Sequence, residues 1–138
     1  MNIHWHLYCK PNQCKLAQQI SLPSLVGDEQ VTVTRLEAAV DGQLFQISFE
    51  SLVELLESES GLHVEMDGAF WWTGPQAAWQ MDGQVYDRGP FVQRVQLKGG
   101  FPLEAWQQLL AWLKEPSIVH DVDSGMFFDA VELSKRWK

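Results

Sequence analysis

The first fifteen residues carry four side chains of the types that bind metal ions, namely His4, His6, Cys9 and Cys14. Zinc takes four nitrogen or sulfur ligands in a tetrahedron. Residues two apart in a strand share a face, so His4 and His6 could bind one ion together. The spacing matches no common zinc pattern closely. We therefore favour a plain first strand, with exposed imidazoles and two small thiols, and keep the four as candidate ligands.

A second set of residues lies between positions 82 and 98. Asp82 precedes a strand pair, and the second strand ends in Gln96-x-Lys98. This arrangement resembles the core of the PD-(D/E)XK nucleases, in which an Asp and a Glu or Gln near the ends of adjoining strands hold a divalent cation. The resemblance implies that Asp82 and Gln96 bind Mg²⁺, that Lys98 assists the attacking water, and that Glu50 or Glu54 supplies a helix carboxylate.

The order of predicted elements also resembles the αβββαβ core of that family. It comprises helix 51–57, several strands ending in strand 91–98, helix 102–113 and strand Ile118–Asp121. Charge opposes a nuclease, because nucleic-acid binding depends on Lys and Arg neutralising phosphates. The chain has a net charge of −8, and ten acidic residues lie between Asp28 and Asp67 against Arg35 alone. We therefore expect no nucleic-acid partner and keep the nuclease as the alternative function.

Other catalytic and cofactor signals are weak. Neither cysteine sits at a recognisable catalytic turn, and no serine occupies a nucleophile elbow. The chain has no G-x-G-x-x-G fingerprint and no phosphate-binding loop, so we predict no cofactor. The start of the chain lacks the basic and apolar segments of a signal peptide, and no run is apolar enough to span a membrane. We expect a cytoplasmic protein with reduced thiols.

Tryptophan is concentrated between positions 71 and 112, where five of the seven lie. Trp71 and Trp72 are adjacent, so in a strand they must face opposite sides of the sheet. Such a concentration indicates either an aromatic core or an aromatic-lined binding surface. We leave both open. On the surface interpretation, the binding residues are the aromatic side chains of this stretch and a nearby histidine: Trp71, Trp72, Trp79, Tyr86 and His63.

Three Asp-Gly dipeptides, Asp41-Gly42, Asp67-Gly68 and Asp82-Gly83, predict three β-hairpins, because a type I′ turn needs positive φ at both central residues. Pairing outward from the first turn puts Leu36, Ala38, Phe45 and Ile47 on one face. The second turn places His63 across from Trp72, and the third places Trp79 opposite Tyr86. A further strand, 91–98, is expected to point Phe91, Val95 and Leu97 inward and Arg94, Gln96 and Lys98 outward.

Helices are predicted between and after these strands. Ser51 and Glu54 form a possible capping box for a short helix with Leu52 and Leu56 on its apolar side. Pro102 is expected at the first position of the next helix, whose apolar stripe comprises Leu103, Trp106, Leu109, Leu110 and Leu113. A third helix is expected over Phe127–Trp137 after Asp123 or Ser124, and a short one over Asn12–Ile20.

These patterns predict a single α+β domain over residues 1–138. We expect an antiparallel meander of hairpins with two to four helices, mainly on one face. The function that we favour is a small acidic binding protein rather than an enzyme. It would act through an aromatic face of the sheet, towards a protein partner or a second copy of itself.

Overall fold

A computed structural model describes residues 2–38 and 43–137. Within them a single sheet contains nine strands in the order β2-β3-β9-β8-β1-β7-β6-β5-β4, and every pair is antiparallel. The predicted α+β class is confirmed, although strands dominate. The strands are β1 Ile3–Cys9, β2 Lys15–Pro23, β3 Gln30–Glu37, β4 Leu62–Val64, β5 Ala69–Thr73, β6 Gln80–Arg88, β7 Phe91–Gly100, β8 Ser117–Asp121 and β9 Phe127–Asp129.

The helices are fewer than the strands within the described residues. They are α1 Phe49–Glu57, α2 Leu103–Leu113 and α3 Ala130–Leu133, with 3₁₀ turns at Pro75–Ala77 and Ser134–Trp137. Among the described residues no helix is long and apolar enough to cross a membrane.

The hydrophobic core lies on one face of the sheet, which we call the helix face. Alternate residues of β1, among them Trp5 and Leu7, are buried there against Trp106 and Leu109 of α2 and Leu52 of α1. Trp5 contacts the rings of Phe101, Trp106 and Trp137 with edge-to-face geometry, an arrangement that the quadrupole of aromatic rings favours. The expected packing of helices mainly on one face agrees with this core.

The opposite face of the central strands carries polar and aromatic side chains, and we call it the open face. Its members follow from the period of two in each strand and from the cross-strand register: His4, His6 and Tyr8 of β1, Arg94, Gln96 and Lys98 of β7, Asp82, Gln84 and Tyr86 of β6, Trp71 of β5, His63 of β4, His120 of β8 and Phe127 of β9.

The Asp-Gly hairpin predictions have different outcomes. The Asp67-Gly68 hairpin is confirmed, but its register pairs His63 with Trp71 rather than Trp72. Asp82-Gly83 is no turn, because it lies inside β6, and the strand instead turns at Gly89 and Pro90. A glycine is required at position 83 for packing, because a Cβ there would overlap the buried ring of Phe70 on the neighbouring strand.

The first hairpin prediction fails in the part of the chain that can be compared. Asp41-Gly42 lies outside the described residues, but Gln43–Ile47 is not a strand, and β3 pairs with β2 and β9. Phe45 is nevertheless fully buried. In β7 the predicted outward residues are correct, but a register shift between Tyr86 and Asp87 buries Val92 and leaves Phe91 38% exposed.

Two helix predictions are wrong or partly wrong. Residues Asn12–Ile20 do not form a helix, because from Lys15 onward the chain is the edge strand β2. The predicted helix Phe127–Trp137 begins instead as strand β9, and only its second part is helical. Asp129 is the N-cap, since its carboxylate accepts the backbone N–H groups of Val131 and Glu132.

The other two helices are confirmed with shifted ends. Helix α1 begins earlier than predicted because Ser48, rather than Ser51, is its N-cap and accepts the Ser51 N–H at 3.0 Å. Pro102 is the N-cap of α2 rather than its first helical residue. Lys114 ends α2 in the left-handed region, with φ of 66°.

Candidate functional site

Three histidines meet at the centre of the open face. His6 of β1 is directly opposite His120 of β8, and His4 lies two residues along the same strand. The His6 ring centroid is 5.9 Å from that of His4 and 6.3 Å from that of His120. His120 is held in place by stacking on Phe127 at 4.7 Å. The alternation of β1 and its pairing with β8 therefore bring together imidazoles that are far apart in sequence.

Strand β7 adds an amide and two cations to this centre. Gln96 is directly opposite His6, Lys98 is opposite His4, and Arg94 is opposite Tyr8. Gln96 accepts a hydrogen bond from the Tyr86 hydroxyl at 3.1 Å, and its Nε2 lies 3.3 Å from His4 Nε2. A side-chain amide nitrogen can only donate, so His4 Nε2 accepts that bond.

Arg94 is fixed by an aromatic ring. Its guanidinium carbon lies 3.8 Å from the centroid of the Tyr86 ring, and its Nη1 donates to Gln93 Oε1 at 3.0 Å. Arg94 Nε is buried and has no hydrogen-bond partner among the described residues. Stacking on an aromatic face orients an arginine while leaving its remaining N–H groups free to bind an anion.

The electrostatics of the centre are unusual for so acidic a chain. Burial and, after it, the charges of Arg94, His4, His120 and Lys98 together lower the pKa of His6 to about 4. His6 is therefore neutral near pH 7. Three ion pairs are found in the described part of the chain, and none includes Arg94 or Lys98.

The predicted aromatic binding set is divided between the two faces of the sheet. Trp71 is 39% exposed and stacks on His63 with ring centroids 4.2 Å apart. His63 Nε2 also lies 3.5 Å from Glu65 Oε1. Trp71, His63 and Tyr86 therefore place aromatic rings on the open face along strands β5, β4 and β6.

Trp72 and Trp79 lie on the helix face. Trp72 is 5% exposed and stacks on Trp112 of α2 with centroids 5.5 Å apart. Trp79 is half-buried, contacts Trp72 edge-to-face and lines, together with it and Pro102, an open groove of about 660 Å³. Trp72 therefore belongs to the aromatic core, whereas Trp71 is partly exposed on the open face.

The predicted metal ligands are not brought together. His4 and His6 share the open face, whereas Cys9 is buried on the helix face. Burial, together with Glu115, which accepts a hydrogen bond from the Cys9 thiol at 3.5 Å, raises the pKa of that thiol to about 11. The Cys14 thiol lies 3.7 Å from the Pro11 carbonyl oxygen. Over residues 2–38 and 43–137, no group of three or more His, Cys, Asp or Glu could hold a metal ion.

The residues of the nuclease alternative are brought together only in part. Asp82 is directly opposite Lys98, and Gln96 lies two residues along the same face. The Asp82 carboxylate accepts a hydrogen bond from Gln80 Nε2 at 2.8 Å. Glu50 and Glu54 are on α1, which packs on the helix face, so the sheet separates both helix carboxylates from Asp82 and Lys98. The helix α1 is also followed by four strands, β4 to β7, before α2, rather than the three of the αβββαβ core.

The sequence did not indicate that Tyr8, Arg94 and His120 lie together on this face. The alternation His4-x-His6-x-Tyr8 in the first strand was the available signal, since it places three polar rings on one face. The pairing of β1 with β7 and β8 joins strands that are distant in sequence, and no local pattern indicates it. Comparison with known proteins adds no assignment, because no family model, curated protein or solved structure matches the chain.

Proposed function

We propose that this chain is a binding protein whose open face docks a protein partner. The observation that carries the proposal is the sheet's division into two faces. One face is closed by helices and a continuous aromatic core, and the other presents fixed aromatic rings around a cluster of imidazole and cationic side chains. Aromatic and arginine side chains dominate the energetic centres of protein interfaces.

The rigidity of the open face supports docking. Trp71 is held by His63, Phe127 by His120, and Arg94 by Tyr86, so three exposed or half-buried pairs are oriented before any partner arrives. Side chains that are already ordered lose less conformational entropy on binding. An interface on a regular sheet is also better defined than one on loops.

Charge favours a partner other than a second copy. Pairing two open faces about a two-fold axis would bring the Arg94 and Lys98 side chains of one copy near those of the other, and neither cation has a carboxylate partner of its own among the described residues. Like charges that meet in an interface cost several kcal/mol.

The two free thiols, Cys9 and Cys14, agree with the cytoplasmic location that we propose.

A photo-crosslinking experiment tests the proposal. A photoreactive phenylalanine analogue replaces Trp71 on the open face, and a second variant carries the analogue at Gln107, an exposed residue of α2 on the other side of the molecule. Both are expressed in the cells from which the protein comes, and irradiated. We expect a discrete heterologous adduct from position 71 and none from position 107.

Two results contradict the proposal. Equal crosslinking from both positions would show that the open face is not the docking surface. An adduct from position 71 with the mass of two copies of this chain would show that the face is occupied by self-association, against the charge argument. Sedimentation of the purified wild-type protein at several concentrations provides an independent measure of self-association.

A further inference from the structure

We propose that the centre of the open face, formed by His4, His6, His120, Arg94 and Lys98, is an oxyanion site that receives carboxylate side chains from an acidic segment of the partner. This inference rests on the proposed function and assigns the chemistry of the partner. The groups come from three adjacent strands, β8, β1 and β7, in consecutive cross-strand positions.

Neither Arg94 nor Lys98 forms an ion pair within the described part of the chain. Asp82 is opposite Lys98 but is hydrogen-bonded to Gln80. Asp129 forms an ion pair with Lys10 at 3.0 Å and also caps α3. Asp121 is paired with Trp5 and so lies on the helix face, where its charge acts on Arg136. Asp82 therefore shares the open face with Lys98 without pairing with it, whereas Asp129 is paired with Lys10 and Asp121 lies on the other face.

The neighbours of His6 show how an anion would be accommodated. His6 is faced by His4 and Tyr8 on its own strand, by Arg94, Gln96 and Lys98 on β7 and by His120 on β8. Its lowered pKa means that the site disfavours further positive charge. A bound carboxylate would offset the neighbouring positive charges and raise the pKa of His6, so affinity is expected to increase as the pH falls towards about 4, the pKa of His6 in the free protein.

The dimensions favour an extended chain segment as the source of the oxyanions. The open face from β8 to β5 crosses five strands, which at about 4.8 Å between neighbours span roughly 20 Å. Five or six residues of extended chain cover this distance. One small anion would contact only the centre and would leave the flanking rings of Trp71 and Tyr86 unused.

Fluorescently labelled poly-L-glutamate is the probe for this site, and its anisotropy is measured with the full chain at low salt. The wild-type protein is expected to bind poly-L-glutamate, and the binding should weaken at high salt. Labelled poly-L-lysine is the matched probe of opposite charge. We expect Lys98→Gln and Arg94→Gln each to weaken binding by about three- to tenfold, the range for loss of one charge-assisted contact. Lys15→Gln, which removes the same charge from an exposed position on edge strand β2, is the control and is expected to change binding less than about twofold.

Each remaining outcome decides the inference. Proton resonances of the His6 imidazole should titrate at higher pH when poly-L-glutamate is bound, and an unchanged titration would overturn the site. Equal weakening by Lys15→Gln would indicate general attraction and overturn it as well. If inorganic phosphate binds at the centre and poly-L-glutamate does not, the oxyanion comes from a small molecule, and the acidic partner is refuted. A crosslinked partner at position 71 whose capture is unaffected by Lys98→Gln would refute the oxyanion site while leaving the proposed function intact.

Discussion

The adjacent residues Trp71 and Trp72 give a sharp test of the two faces, because the same substitution at neighbouring positions should have very different costs. Trp72 is 5% exposed and stacks on Trp112, whereas Trp71 is 39% exposed and contacts chiefly His63. Truncation of a buried tryptophan to alanine costs about 3–5 kcal/mol. Loss of one partly exposed aromatic stack costs about 0.5–1.5 kcal/mol.

The assay is urea unfolding followed by far-ultraviolet circular dichroism, which does not depend on tryptophan fluorescence. With a urea dependence of about 2 kcal/mol per molar, Trp72→Ala should lower the midpoint by about 2 M and Trp71→Ala by less than about 0.8 M. A domain of this size has about 5–15 kcal/mol of stability in total, so Trp72→Ala is also a candidate for complete unfolding. Trp72→Phe keeps the experiment informative in that case, since it retains a ring against Trp112.

Equal costs at the two positions would refute the assignment of faces. A larger loss at Trp71 than at Trp72 would reverse it, and the open face would then be the core side of the sheet. Retained stability in both variants would show that neither tryptophan is packed as described.

Three further perturbations test other parts of the structure. Gly83→Val should destabilise the fold by at least about 1–3 kcal/mol in the same urea assay, because its side chain would overlap the Phe70 ring; a neutral result would contradict the placement of Gly83 within β6. Ser48→Ala should lower the free energy of unfolding by about 1 kcal/mol, because the N-cap of α1 is lost. A larger decrease in Ser51→Ala would show that Ser51 is the N-cap, as the sequence predicted. The pKa of His6 lies below its unfolded value of 6.5, so its contribution to stability is constant above pH 6.5 and is lost as the pH falls from there to about 4. His6→Gln should therefore show a smaller loss of stability than wild type between pH 7 and pH 4.5, and parallel losses would contradict the lowered pKa.

The sequence predicted most accurately the elements that have one buried side and one exposed side. Strand β7 and helix α2 each have one buried and one exposed side, so their periodicity was visible and their residues were assigned nearly correctly. Edge strand β2 was predicted as a helix because most of its residues are exposed on both sides, which leaves no clear alternation. Asp82-Gly83 has the composition of a turn, and only the packing of Phe70 explains why a glycine lies within a strand.

The candidate site was predictable residue by residue but not as an assembly. His4, His6, Gln96 and Lys98 were each identified from local pattern, and they were assigned to separate metal and nuclease sites. Their meeting depends on β1 pairing with β7, which joins positions between 86 and 96 residues apart. Strand geometry alone predicted that Trp71 and Trp72 lie on opposite faces of the sheet. Which of the two faces is covered by helices depends on where α1 and α2 pack.

Chemical-shift mapping with poly-L-glutamate tests most directly the claim that the open face is the binding surface. The two-dimensional spectrum reports the indole N–H groups of Trp71 and Trp106, which lie on opposite sides of the sheet, together with every backbone amide. We expect shifts at Trp71, at the His6 ring and along β1, β7 and β8, with Trp106 and helices α1 and α2 unchanged. Shifts concentrated on the helices would contradict the open face as the binding surface, and no shift at any position would refute the acidic partner.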